Sequence, residues 1–157
     1  MKTKNDIIRK ELTKLVQGGN AHVTPWQALE DVPDEAINEK VDAVPYSIWE
    51  LTEHMRIAQW DIIDFALKPE HTTPPWPDGF WPDHPADSKA EFDTSAGAFL
   101  NQLNEIAGMI QSPDTKFFKP IDHAPNYTLF RQFMLVADHN AYHTGQIVTI
   151  RRILDIW

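Results

Sequence analysis

Residues 128–154, TLFRQFMLVADHNAYHTGQIVTIRRIL, decide how the chain is read. Stepped at 100° per residue, Leu135, Val136, Tyr142, Ile147, Ile150, Ile153 and Leu154 share one stripe. The stripe predicts an amphipathic helix from near Thr128 to Trp157, about eight turns long. His139 and His143 stand in the middle of it, with Gln132 two turns before and Gln146 one turn after, so a polar band runs through an otherwise apolar face. The four-residue spacing alone decides nothing, because seven histidines in 157 positions give about 0.3 such pairs by chance. The rest of the chain must say whether these two are ligands.

Upstream, SIWE places Ser47 as a helix cap with Glu50 three residues on, a capping box opening a helix that runs to about Leu67. Leu51, Ile57, Ala58, Ile62 and Phe65 make its expected buried face, with His54 in their midst. A second box, SKAE at Ser88 and Glu91, opens a helix through Phe99, Leu103, Ile106 and Ile110, ending before Pro113. The N-terminal helix spans about Lys4 to Val16 and is stopped by Gly18 and Gly19. Between it and Ser47, prolines at 25, 33 and 45 permit only a short helical turn near Trp26–Glu30. No segment between helices shows the alternation of a strand, and there are no internal repeats. The reading is all-α: a single-domain four-helix bundle.

Residues 68–87, KPEHTTPPWPDGFWPDHPAD, carry six prolines and two tryptophans and cannot be helical. The segment is too long for a tight turn and suits a crossover between the second and third helices. Trp76, Phe80 and Trp81 are expected to pack on the bundle or over a cavity mouth, as a pinned loop, a lid, or both.

Composition narrows the partners. With 14 basic and 23 acidic residues the formal charge is −9, and no basic stripe suits nucleic acid or anionic lipid. There is no cysteine, hence neither a disulfide framework nor a protein thiol. Small molecules or other proteins remain, with a small-molecule substrate expected; no apolar run has the length of a membrane span, and MKTKNDIIRKELTKL lacks the apolar core of a signal peptide, so a cytoplasmic location is expected.

The histidines then weigh against the cost of burying them. An unpartnered buried polar group costs about 1–3 kcal/mol, and three would consume much of a typical stability of about 5–15 kcal/mol. Each of His54, His139 and His143 alone reads as a hydrogen-bonded core residue; three inward placements from two helices read as a set of ligands for one divalent cation. Asp61 lies two turns beyond His54 on the same face. It could support an imidazole, accept a proton in a cavity, or simply be solvated where the helix emerges. His22, His71, His84 and His123 fall in expected loops without assignment, His123 being the least remote from the pair, and Tyr142 is expected to pack in the core.

Taken together, NAHVTPWQAL, SIWELTEHMRIAQWDIIDF, PPWPDGFWP and TLFRQFMLVADHNAYHTGQIVTIRRIL resemble the DinB-like superfamily of metal-binding four-helix bundles over nearly the whole chain. In that family one histidine of the second helix and two of the fourth-helix HxxxH bind a divalent metal, usually zinc or nickel. The matching positions are His54, His139 and His143. The resemblance also implies an up-down-down-up bundle, commonly a homodimer. Some relatives are transferases or isomerases that use a low-molecular-weight thiol such as bacillithiol or mycothiol; many others have no known reaction. The implied function is thiol transfer to small electrophiles, with Asp61 or water handling the proton. The alternatives are a hydrolase that activates water at the metal and a noncatalytic binding or stress-response module with a structural ion.

Overall fold

The computed structural model describes residues 3–157. Four long helices dominate it, α1 (Lys4–Gln17), α3 (Ile48–Leu67), α4 (Lys89–Gln111) and α5 (Leu129–Ile153), with a short α2 (Pro25–Leu29) between the first two. Each start carries a side-chain cap that satisfies backbone N–H groups the helix itself leaves open. Thr3 with Asp6, Thr24 with Gln27 and Ser47 with Glu50 are reciprocal boxes. Thr128 accepts from the Arg131 N–H. At α4 only half of the expected box forms: Ser88 Oγ accepts from the Glu91 N–H, but the Glu91 carboxylate reaches past it to the Asp87 N–H at 2.6 Å.

The long helices close a ring of contacts in which α1 and α3 each pack against both α4 and α5. Their interior is divided. One apolar cluster gathers Leu51, Met55, Phe92, Phe99, Ile147 and Ile150 with α2, and the other gathers Leu12, Ile63, Leu103, Ile110, Phe133 and Val136. Each fully buried side chain of this size contributes about 1.5–3 kcal/mol. Between the clusters lies a buried polar layer made by Gln59 and Asn140, which bond to each other, with His54 and His143 at its edge.

Three details differ from the sequence reading. The last helix stops at Ile153, not Trp157. Asp155 turns the chain with φ of 55°, and the Arg151 guanidinium holds the carbonyls of Ala28, Glu30 and Ile156, so the terminus folds back onto the end of α2. A small antiparallel hairpin, β1 (Pro120–Ile121) and β2 (Ala124–Thr128), precedes α5. It is mostly exposed and has no alternating buried face, so no period marks it in the sequence. The faces are also rotated: Tyr142 is 65% exposed, and on α3 the buried side is Leu51, Met55, Ala58, Gln59, Ile63 and Ala66, with Ile57, Ile62 and Phe65 only half-buried.

The crossover accounts for part of that rotation, because its 3-10 turn Asp78–Phe80 packs on α3 and covers a side that would otherwise be wet. The segment is tied down by the Trp49 indole N–H on the His84 carbonyl at 2.8 Å and by the paired bonds of Asn38 with Ala86.

Candidate metal centre

His54, in the second turn of α3, and His139 and His143, on successive turns of α5, come together between the helices. Helix phase does this: a four-residue step returns a side chain to nearly the same face, and α3 packs directly against that face. One nitrogen from each ring lies within 4.8 Å of the other two, and the Nε2 atoms of His54 and His139 are 3.0 Å apart. His54 is 4% and His143 7% exposed, and His139 is half-buried.

The outer nitrogens define what the inner ones can do. His54 Nδ1 is 2.8 Å from the backbone carbonyl of Phe80, which can only accept, so Nδ1 carries the hydrogen and Nε2 is a lone pair. His143 Nδ1 donates to Gln146 Oε1 at 2.6 Å, again leaving Nε2 as a lone pair. His54 is further fixed by Trp81, stacked on it at 4.1 Å and 5°, with Tyr46 stacked on the far side of Trp81 at 4.3 Å and 12°. His139 Nδ1 is buried without a hydrogen-bond partner.

Protonation disfavours itself here. Burial, joined by the charges His143 and His54 would carry, brings His139 down to about 4. Burial likewise brings His143 down to about 4, the Gln146 bond opposing and His54 assisting. Burial lowers His54 too, against the Phe80 bond. At neutral pH these are three uncharged rings.

Such a set suits a divalent ion. A proton on His139 Nε2 would satisfy the His54 lone pair alone, whereas one cation satisfies a nitrogen of every ring. The 3.0 Å separation matches two nitrogens bound to one ion at about 2.1 Å each. Neutral imidazoles whose other nitrogen is held by a carbonyl or amide are the usual form of histidine ligands. Among the described residues the group contains no fourth histidine, cysteine, aspartate or glutamate.

Asp61 is elsewhere. Two turns beyond His54, its carboxylate accepts from His71 Nε2 at 2.8 Å, pinning the start of the crossover rather than meeting the trio. His123 bonds the Phe65 carbonyl, and Glu50 accepts from the backbone N–H of Ser47, the cap of α3. Of the crossover aromatics, Phe80 is buried and Trp81 packs on His54, whereas Trp76 is 75% exposed. Trp81 also lines a cleft of about 620 Å³ with Trp49, Glu53, Arg56, His84 and Ser95. There burial raises the Glu53 pKa, but bonds from Arg56 and Ser95 hold it below the usual value. Sequence reading missed the Phe80 carbonyl and Tyr46. A backbone group leaves no mark on side-chain pattern, and Tyr46 lies outside any helix.

The sequence model of the DinB superfamily matches residues 25–147. The chain belongs to the DinB superfamily. The match takes in α2, all of α3 and α4, and both histidines of α5 in this DinB-superfamily chain. No curated protein and no solved structure matches it. Among the described residues, no helix is long and apolar enough to cross a membrane.

Proposed function

We propose that this DinB-superfamily protein is a single-domain, up-down-down-up bundle that holds a divalent ion, zinc or nickel, on His54, His139 and His143 and transfers a low-molecular-weight thiol to a small electrophile. The observation that carries the reading is the convergence of three neutral imidazoles, two of them turned by outer hydrogen bonds so that lone pairs face a common point. A divalent ion on three uncharged ligands keeps its full charge and acts as a Lewis acid toward whatever completes its coordination.

The chain's own residues supply the rest. Three side-chain ligands without a fourth acid or histidine are the pattern of an open site rather than a closed structural one. Trp81 and Phe80 shield His54 from water on the crossover side. The cleft beside Trp81, which none of the three histidines lines, has the size of a small-molecule site. In the transfer, the thiol loses its S–H proton and forms an S–C bond as the electrophile's leaving group departs. Asp61 with His71, two turns from the trio, takes that proton only through intervening solvent. A chain without cysteine offers no competing thiol, in keeping with a sulfur supplied by a cosubstrate in the cytoplasm. A homodimer belongs to the same reading.

The test is to assay metal-loaded protein, purified without a histidine tag, against an electrophile panel with and without small thiols. Turnover that requires both the metal and a thiol is expected. Turnover indifferent to thiols would replace the transferase with a hydrolase, and loaded protein inert to every electrophile would leave a noncatalytic metal module.

A further inference from the structure

The Phe80 carbonyl orients His54 and the Gln146 amide orients His143, whereas the buried Nδ1 of His139 meets no such outer partner. Gln59, 1% exposed at the centre of the polar layer, donates through Nε2 to the Phe99 carbonyl of α4 at 3.1 Å and to Gln102 at 3.3 Å. A backbone carbonyl only accepts, so the NH₂ end of Gln59 must face α4 and its oxygen must face α5. That oxygen accepts from Asn140 Nδ2 at 2.8 Å. The Asn140 amide is thereby turned as well, and its Oδ1 is left as a buried acceptor without a partner. The adjacent residue on α5 is His139, whose buried Nδ1 also lacks one.

We propose that Gln59 and Asn140 are positioning residues for the metal centre: a relay starting at the Phe99 carbonyl makes Asn140 Oδ1 the acceptor for His139 Nδ1–H, so that His139 presents Nε2 to the ion. The proposal rests on the metal reading above. It joins two orphaned atoms of complementary kind, a potential donor and an acceptor, on neighbouring residues. It also gives a reason for two amides 1% exposed between apolar clusters, where apolar side chains of similar volume would avoid the cost of burying polar groups. With the relay in place all three ligands have a fixed tautomer, each set by a different element: the crossover for His54, α4 by way of α3 for His139, and α5 itself for His143.

Zinc-loaded protein labelled with nitrogen-15 tests this directly. Long-range proton–nitrogen spectra should show His139 protonated at Nδ1 and bonded to zinc through Nε2, and the opposite assignment would overturn the relay. Chelator competition should show Asn140→Leu and Gln59→Leu each weakening zinc binding about 10–100-fold, although Gln59 touches no ligand, with the fold verified by circular dichroism and thermal unfolding. Asn140→Asp keeps an acceptor for His139 but cannot donate to Gln59, so it should lose thermal stability while retaining most of its zinc affinity. Folded Leu variants that bind zinc as tightly as the parent would refute the relay and leave the metal centre standing. A parent chain that binds no zinc, nickel or cobalt would remove both.

Discussion

Two unlike regions meet at His54. Helices α3 and α5 bring three imidazoles together by periodicity, from side chains whose positions are fixed by 3.6 residues per turn. The proline-rich crossover brings a backbone carbonyl and an indole face, and it orients a ring it does not carry. The helices therefore determine where the nitrogens are, and the crossover determines which nitrogen of His54 is free. A site assembled by helices alone would leave His54 able to rotate and exchange tautomers. The crossover removes that freedom and with it part of the entropy that binding an ion would otherwise have to overcome.

Removing a helical contribution should have the largest effect. His54→Ala or His139→Ala leaves two nitrogens, and elemental analysis should find metal falling from stoichiometric to background. Stoichiometric metal in either variant would exclude that residue as a ligand. Acidification comes next. His139 and His143, at about 4 when folded, take up protons more readily unfolded, where histidine titrates near 6.5. Stability of the metal-free protein is therefore complete above about 6.5 and declines as pH falls toward 4, since the unfolded state binds more protons across that window. Cobalt affinity should likewise hold from neutral pH down to about 5, whereas an exposed HxxxH pair would lose it already below about 6.5. Thermal melts and cobalt titrations across that range check both.

Within the crossover the contrast sharpens. Trp81→Ala removes the ring stacked on His54 and should weaken metal binding about tenfold, while Trp76→Ala, at a side chain 75% exposed, should leave it unchanged. Equal effects would show that the crossover acts as general cover rather than through the stack. The smallest effect is expected at Asp61. Asp61→Asn loosens the His71 contact, at a cost of about 1 kcal/mol in thermal or denaturant unfolding, with metal affinity unaltered. An affinity loss there would move Asp61 into the centre.

The same division explains what the sequence revealed. His54, His139 and His143 were legible because burial has a helical period and histidines inside an apolar stripe interrupt it visibly. Gln146 was legible as part of the polar band on α5. The face of α3 was read about one position out, because periodicity assumes one wet side and the crossover covers a second. Phe80 acts through its carbonyl, which no residue type encodes. Asp61 shares the phase of His54, but two turns of rise carry it to a different partner, His71, which the crossover delivers from outside the helix. The hairpin before α5 buries too little to impose a pattern.

The central claim is that His54, His139 and His143 share one ion through their Nε2 atoms. A crystal structure of the metal-loaded protein, with anomalous scattering at the metal edge, measures this most directly. The expected result is one ion with three nitrogen bonds of about 2.0–2.1 Å, one to each ring, the His54 Nδ1–H still on the Phe80 carbonyl. Crystals grown with saturating metal that show no anomalous peak between α3 and α5, and rings turned to separate neighbours, would contradict it.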